Sequence, residues 1–209
     1  MLQQPYDLYK VGWADTFMMG LVNQVAQGLD DAVTQEVTNH LFEEPGKKFG
    51  MDLAAINMAR GREHGVPGYG RWREWCGLGQ VDWDQLQGIM PNRSVRVGHT
   101  IQYSLLTITL QGYRSLYESP ADIDLWSAGI TETPLPGAMV GPTFACVMGR
   151  TFHNVKFGDR FWYENGGWPS SFTGDQLAEI RKVKLSRILC DNSDSLQTVQ
   201  VRLLAQIED

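Results

Sequence analysis

The chain has 209 residues, of which 43% are hydrophobic, and a formal net charge of -6. This length and composition allow one complete domain core or one large part of a bigger core. The acidic balance argues against nucleic acid as a partner, because proteins that bind polyanions carry a basic field that recruits phosphates.

The cysteines and the apolar runs narrow the class of protein further. Cys76, Cys146 and Cys190 are too few and too widely spaced for a zinc site of the paired C-x-x-C type. No run approaches the roughly 20 apolar residues that cross a bilayer, so we expect no membrane span. In an exported protein, an odd number of cysteines leaves one thiol free or paired outside this sequence. An N-glycosylation acceptor pattern that begins at Asn92 weakly favours an exported protein.

The first part of the chain contains two helical patterns separated by a break. Apolar residues recur every three or four positions between residues 15 and 42, which predicts one or two core-facing helices. These apolar positions are Phe17, Leu21, Val25, Leu29, Val33, Val37 and Leu41. Proline and glycine between residues 45 and 50 interrupt the pattern, and Asp52 is placed to cap the next helix. Residues 65–70, rich in glycine and proline, end that helix.

The remainder of the chain predicts further helices and one long loop. The helices are expected at Tyr103–Tyr117, at Gly141–Phe152, which is apolar and should be buried, and from Thr173 toward Leu189. Residues 157–172 are aromatic and glycine-rich without a clear period, which indicates an ordered loop with at most one short strand. The sequence therefore predicts a mainly α fold with long ordered loops, little β structure and no linker between domains.

The helix that begins after Asp52 carries polar side chains on a face that should be apolar. Steps of four, three and four residues place one stripe on it: Leu53, Asn57, Arg60 and His64. One hypothesis is that Asn57 and Arg60 satisfy carbonyls and carboxylates of nearby loops. The other is that the stripe lines a pocket, where an amide oxygen accepts from a ring N–H and an arginine binds an anionic group. A metal-bound histidine and a cofactor carboxylate would form such a pair.

The residues of this helix and its continuation carry a family resemblance. The stretch "DLAAINMARGREHGVPGYGRWREWCGL", residues 52–78, resembles the most characteristic segment of the animal haem peroxidases. The similarity extends to "EVTNHLFE" before it and to "DIDLW", "GPTFACVMG", "GDRFWYEN" and "LSRILCDN" after it, in the family's order. The resemblance implies the all-helical fold of that family and haem b as the cofactor.

The resemblance also assigns roles to the polar stripe. It implies that Asn57 hydrogen-bonds an axial histidine supplied from elsewhere, and that Arg60 contacts a haem propionate. Leu53 and Ile56 would pack against the proximal side of the macrocycle. An acceptor on the axial imidazole's far nitrogen fixes its tautomer and raises its basicity, which tunes the iron. The arginine would compensate a carboxylate that is costly to bury alone.

The same resemblance places most of the catalytic equipment outside this chain. It implies that residues 1–209 are the C-terminal portion of a single peroxidase domain. The upstream half would hold the distal histidine and arginine, the carboxylates that can attach haem covalently, the calcium ligands and the axial histidine. We expect that remainder as a partner, in cis or as a companion chain. His99 fits the phrase Arg, any residue, Gly, His of the axial ligand, but it follows Asn57 by 42 residues and the family's order is the reverse.

Other side chains receive structural interpretations. The resemblance implies a disulfide between Cys76 and Cys146, with Cys190 left unpaired. Residues 71–75, "RWREW", suggest a packed tryptophan pair with snorkelling arginines rather than a basic binding patch. Asp159 and Arg160 are expected to organise a turn and an internal ion pair. His64 would serve the helix C-terminus, and His40 and His153 are expected to face solvent.

The function implied by the resemblance is that of a secreted haem peroxidase. Hydrogen peroxide would oxidise the ferric haem, which then takes electrons from small-molecule donors such as halide, thiocyanate or a phenol. This chain would contribute the surroundings of the axial ligand and the propionate anchor, and by itself it should be inactive. The alternative is a catalytically inactive peroxidase-like adhesion or matrix scaffold, which substitutions at the upstream catalytic positions would indicate.

Overall fold

The computed structural model describes residues 5–24, 29–90, 94–97, 100–194 and 196–199. The chain divides into two compact units, one formed by residues 29–153 and the other by residues 1–28 together with 154–209. Within the described residues the secondary structure is mainly α-helical, as the sequence predicts, and it includes one two-stranded sheet. No helix of the described residues is both long enough and apolar enough to span a bilayer.

Helices follow one another along most of the described chain, with the two strands between the fifth and the sixth. In chain order, the elements are α1 (Trp13–Asn23), α2 (Gln35–Thr38), α3 (Leu53–Glu63), α4 (Tyr69–Trp75), α5 (Trp83–Ile89), β1 (Ser94–Val97), β2 (Thr100–Ser104), α6 (Leu105–Leu116), α7 (Leu125–Thr131), α8 (Pro142–Gly158), α9 (Gly174–Ile180) and α10 (Leu185–Asp191). Short 3₁₀ helices lie at Pro5–Tyr9 and Pro120–Asp122. The boundary between the two units falls within α8.

The periodic apolar residues between positions 15 and 42 do not form one buried helical face. Helix α1 ends at Asn23 because the backbone turns extended at Gln24, and the short α2 begins only at Gln35, where the Thr34 hydroxyl accepts from the Glu36 amide. Phe17 and Leu21 of α1 are exposed, whereas Leu41 is buried. Val25 lies outside the described residues.

Helix α3 begins and ends where the sequence predicts. The Asp52 carboxylate accepts from the amides of Ala54 at 2.8 Å and Ala55 at 3.2 Å, which satisfies two of the first orphan donors of the helix. The helix ends at Glu63, and Gly65 follows with φ of +66°, a backbone conformation that glycine adopts without strain. The cap fixes the register in which Asn57 and Arg60 are presented.

The predictions for the later helices need three corrections. Helix α6 begins at Leu105 rather than Tyr103, because Tyr103 belongs to β2, which pairs antiparallel with β1, and the sequence does not indicate this pair. Helix α8 extends to Gly158, and its middle is largely exposed rather than buried, as at Phe152. The last helix is split into α9 and α10 by an extended backbone at Lys184, although no glycine or proline marks this position. The predicted capping box of Thr173 is present.

The core of the unit formed by residues 29–153 lies among α4, α5, α6 and α7. Its buried side chains are Tyr69, Leu86, Met90, Tyr113, Ile123 and Ala128. Gly70 in α4 allows the 3₁₀ turn to approach closely, since an added Cβ would lie 2.6 Å from the Cβ of Ala121. The amide of Tyr69 donates to the Ile123 carbonyl across the same contact, at 2.8 Å. These contacts place the start of α7 beside the C-terminal end of α3.

Candidate functional site

A cavity of about 220 Å³ lies beside the helix that carries the polar stripe. Helix α3 and the turn after it form one side, the start of α7 a second, and α8 a third. The lining residues are Asn57, Met58, Gly61, Val66, Asp124, Leu125, Trp126 and Phe144. Most of these side chains are apolar, so the Asn57 carboxamide and the Asp124 carboxylate are the polar side chains that this wall presents.

Asn57 is half-buried, and its side chain makes no hydrogen bond to any residue that the structure describes. Amides removed from water are normally paired, because leaving them unpaired costs about 1–3 kcal/mol. The half-buried Asn57 carboxamide borders the cavity without a partner among the described residues, so it could bond either water or an external group. Its oxygen can accept a hydrogen bond from a ring N–H.

The other residues of the stripe lie on the same helix but outside the cavity lining. Arg60 is exposed, and in the described part of the chain its guanidinium has no hydrogen-bond or ion-pair partner. Ile56 is half-buried, and Leu53 remains 37% exposed. Neither Asn57 nor Arg60 bonds a described loop carbonyl or carboxylate with its side chain, so the hypothesis that they brace a loop finds no contact to support it.

His64 has the structural position expected at the C-terminus of the helix. Its Nδ1 lies 2.9 Å from the Arg60 carbonyl oxygen, to which it donates, and its backbone amide donates to the same oxygen at 3.0 Å. His40 and His153 are exposed as predicted, with His40 Nδ1 at 2.7 Å from the Glu43 carboxylate. His99 and the acceptor Asn92 lie outside the described residues.

An ion pair joins α3 to the wall of the cavity. The Arg62 guanidinium donates to both oxygens of Asp124, from Nε to Oδ1 at 2.9 Å and from Nη2 to Oδ2 at 2.6 Å. The Tyr117 hydroxyl donates to Oδ2 at 2.5 Å. Hydrogen bonding from Arg62 holds the pKa of the Asp124 carboxyl below its ordinary value. We refer to these three residues as the Arg62–Asp124–Tyr117 cluster.

A second polar network is buried among α4, the end of α7 and the first turn of α8. The Glu132 side chain has no exposed area, and its Oε1 accepts from the Tyr69 hydroxyl at 2.6 Å and from Arg73 Nη1 at 3.3 Å. Thr143 donates its amide to Oε2 at 2.8 Å and its hydroxyl to Oε1 at 2.6 Å. Burial, followed by the charge of Glu132, raises the pKa of Tyr69. The network ties α4 and the end of α7 to the first turn of α8.

The expected disulfide between Cys76 and Cys146 is present and fixes the same helix. It joins the end of α4 to the second turn of α8. Two residues earlier, the Phe144 ring packs so closely on Gly129 that no side chain would fit there. These contacts hold Phe144, a residue of the cavity wall, from two directions.

The segment "RWREW" is only partly as predicted. The Trp72 and Trp75 rings pack edge to face with centroids 5.6 Å apart, which confirms the tryptophan pair. Arg71 is exposed and pairs with Glu74, whereas Arg73 is buried and donates to the carbonyls of Gly79 and Leu78 as well as to Glu132. The prediction that both arginines snorkel is therefore wrong for Arg73, because a buried carboxylate and two carbonyls satisfy its donors.

In the other unit, residues 159–165 form a turn without the expected ion pair. The Asp159 carboxylate accepts from the Phe161 amide at 2.8 Å, but among the described residues it pairs with no cation. Arg160 lies over the Phe161 ring, 4.7 Å from its centroid. The ion pairs are made by Glu164 instead, with Lys156 at 2.6 Å and Arg181 at 3.0 Å. These hydrogen bonds lower the pKa of Glu164 to about 2. Residues 159–172, all of which the structure describes, contain no strand, in agreement with a prediction of at most one.

Sequence reasoning missed the carboxylates that organise the site. Asp124 and Glu132 lie 62 and 59 positions from the arginines that they bind, so no local pattern connects them. One partial signal exists, because Tyr69 and Arg73 are four residues apart on one helix face. Among the described residues, no group of three or more histidine, cysteine or acidic side chains is placed to hold a metal ion.

Comparisons with known proteins agree in pointing to one family. A family model described as animal haem peroxidase matches residues 1–204. Thyroid peroxidase of Sus scrofa is 39% identical over 193 residues, which cover 91% of this chain and 19% of that protein. Eosinophil peroxidase of Mus musculus is 36% identical over 185 residues, which cover 87% of this chain and 23% of that protein. The chain thus spans about a fifth of the length of these relatives.

A solved structure extends the similarity to the fold. Peroxidase A from Dictyostelium discoideum superposes with a TM-score of 0.64 at 26% sequence identity. The aligned part covers 88% of this chain and 32% of that chain. The mainly helical architecture is therefore shared with a known peroxidase structure.

Proposed function

Because this chain belongs to the animal haem peroxidase family, we propose that it supplies one side of the haem pocket of a hydrogen-peroxide-dependent oxidoreductase. The observation that carries the proposal is the Asn57 carboxamide, which is half-buried, borders a cavity and lacks a partner among the described residues. Relatives that match most of the chain bear the names of peroxidases. No observation favours an inactive scaffold.

The side chains of α3 fit a haem in their chemistry. Asn57 offers an amide oxygen, which suits the N–H of an imidazole ligand. Arg60, one turn on, offers a guanidinium without a partner among the described residues, which suits a carboxylate such as a propionate. Leu53 and Ile56 offer partly exposed apolar surface on the same helix, which suits the macrocycle. An acceptor, a cation and an apolar surface thus occur within two turns.

When bound, haem supplies the exchange of electrons between hydrogen peroxide and a reducing substrate. The contribution of this chain is to tune and hold that group. The Asn57 oxygen would accept the N–H of an imidazole ligand supplied from elsewhere, which would fix the tautomer of that imidazole and raise its basicity. Arg60 compensates the charge of a propionate and fixes its direction.

The wider organisation follows from the family match. The match spans both compact units, so we propose that residues 1–209 belong to the C-terminal part of a single peroxidase domain. The remainder of that domain, in cis or as a companion chain, would supply the axial histidine, the groups that activate peroxide, calcium ligands and any covalent attachment of haem. The donors would be halide, thiocyanate or phenols. Secretion is supported by the Cys76–Cys146 disulfide, since disulfides persist in oxidising compartments.

The experiment replaces Asn57 by aspartate in the complete haem-loaded enzyme, which includes the remainder of the domain, and measures the midpoint potential of the iron. A carboxylate in place of the amide makes the axial imidazole more imidazolate-like, which stabilises ferric over ferrous iron and lowers the potential. Each tenfold change in that relative stabilisation corresponds to about 59 mV. Asn39→Asp, an exposed site outside the cavity lining, adds the same charge as a control. A potential that is unchanged in Asn57→Asp would refute the role of Asn57.

A further inference from the structure

One arginine joins the Asn57 helix to its neighbours. Helix α3 contains no fully buried residue, so packing alone constrains its rotation and translation weakly. Among the residues that the structure describes, Arg62 makes the only side-chain hydrogen bonds from α3 to another element. Arg62 is therefore the side chain through which hydrogen bonds can orient α3 against other described elements.

The acceptor of these bonds is held firmly. Asp124 directly precedes α7 and is only 14% exposed, and its Oδ2 also accepts from Tyr117, which directly follows α6. The two parallel bonds from Arg62 form a fork that fixes both distance and angle, which a single hydrogen bond does not. The Arg62–Asp124–Tyr117 cluster thus sets α3 against two other helices.

Asp124 and Asn57 line the same cavity. Its volume is about 220 Å³, and Gly61 completes the wall one turn after Asn57. The Arg62 side chain is 65% exposed, and ion pairs of exposed arginines contribute little to stability. The main effect of the Arg62–Asp124 pair is therefore to fix the orientation of α3, the helix that carries Asn57.

We propose that Asp124 is a positioning residue for the Asn57 carboxamide and acts through its fork with Arg62. The inference rests on the proposed function of Asn57. A hydrogen bond to an imidazole requires a donor–acceptor distance of about 2.7–3.2 Å, and it weakens steeply when the angle at the hydrogen falls below about 120°. A small rotation of α3 moves the amide oxygen out of that range, whereas the cluster holds it within the range.

The test uses the complete haem-loaded enzyme, which includes the remainder of the domain, and measures the iron–imidazole stretching vibration of the ferrous form by resonance Raman spectroscopy. Asn57→Ala removes the acceptor and defines the full shift. Asp124→Asn and Arg62→Lys should shift the vibration in the same direction by a smaller amount, and neither should add a shift in the Asn57→Ala background. Turnover should fall by about 10-fold, which is the low end of the roughly 10–100-fold loss seen when a residue that orients a metal ligand is changed. Arg71→Lys, in an exposed pair with Glu74, is the matched control and should change neither quantity.

The outcomes separate this inference from the proposed function. If Asn57→Ala shifts the vibration while Asp124→Asn and Arg62→Lys leave it unchanged, the positioning role is overturned and the role of Asn57 stands. If Asn57→Ala leaves the vibration unchanged, both are overturned. A purely structural role of Asp124 would lower the unfolding midpoint without changing the vibration of the folded protein. Should Asp124→Asn fail to fold, Arg62→Lys and Tyr117→Phe, which keep the carboxylate, decide the question in the same way.

Discussion

Removing the Glu132 carboxylate should be among the most destabilising single changes in this chain. Glu132→Ala leaves the buried Arg73 charge without its carboxylate, and it removes the acceptor of the Tyr69 hydroxyl and of both donors of Thr143. Breaking a buried ion pair by deleting one partner costs about 3–5 kcal/mol. We expect a loss of about 4 kcal/mol, a large part of the ~5–15 kcal/mol by which folded proteins are stable.

Urea unfolding followed by tryptophan fluorescence measures this loss. With a slope of about 2 kcal/mol per molar urea, the midpoint should fall by about 2 M. Glu74→Ala removes a carboxylate of an exposed pair and should change the free energy of unfolding by less than about 1 kcal/mol.

A second variant tests the electrostatic reason for the loss. If the unpaired charge of Arg73 causes it, Arg73→Met combined with Glu132→Gln should be less destabilised than the sum of the two single changes. A Glu132→Ala midpoint no lower than that of Glu74→Ala would show that the buried network contributes nothing to stability and that the prediction is wrong.

Three further predictions concern the anchor, the acid response and the disulfide. Arg60→Gln should speed transfer of haem from the loaded protein to apomyoglobin roughly 10-fold or more, since a hydrogen bond to a charged group contributes about 1.5–3 kcal/mol; an unchanged rate would show that Arg60 holds no propionate. The lowered pKa of Glu164, about 2 against 4.5, gives stabilisation that is complete above pH 4.5 and is lost as the pH falls toward 2. As the pH falls from 4.5 toward 2, the thermal unfolding midpoint of Glu164→Gln should therefore decrease less than that of the parent protein. An equally steep decrease in the variant would show that the ion pairs of Glu164 do not stabilise the fold. Cys76→Ser should lower the free energy of unfolding by about 4 kcal/mol, because the disulfide closes a loop of 70 residues; a reductant should destabilise the parent protein but not the variant.

Local signals predicted much of the helical framework. The Asp52 cap and the Thr173 capping box are short-range patterns, and both are present where the sequence places them. The steps of four and three residues around Asn57 predict a helix that carries Leu53, Asn57 and Arg60, and all three lie on α3. The bounds of α8 were predicted less well, because its exposed apolar residues beyond Phe152 do not show a buried period.

What the sequence did not predict depends on long-range contacts. The burial of Arg73 requires Glu132, which α7 brings to it, and the wall of the cavity requires Asp124 beside α3. The apolar period between residues 15 and 42 predicts a buried face, but period alone cannot show whether another element covers that face. Phe17 and Leu21 remain exposed. Local pattern thus predicts the helix of the candidate site, whereas the cavity beside that helix depends on contacts between residues far apart in the sequence.

A crystal structure of the haem-loaded protein would test the role of Asn57 through a single distance. We predict that Asn57 Oδ1 lies about 2.7–3.2 Å from the ring nitrogen of the axial histidine that faces away from iron. We also predict that the Arg60 guanidinium contacts a propionate. An Asn57 amide that faces bulk water, or that binds a loop carbonyl with no imidazole in reach, would contradict both the proposed function and the inference built on it.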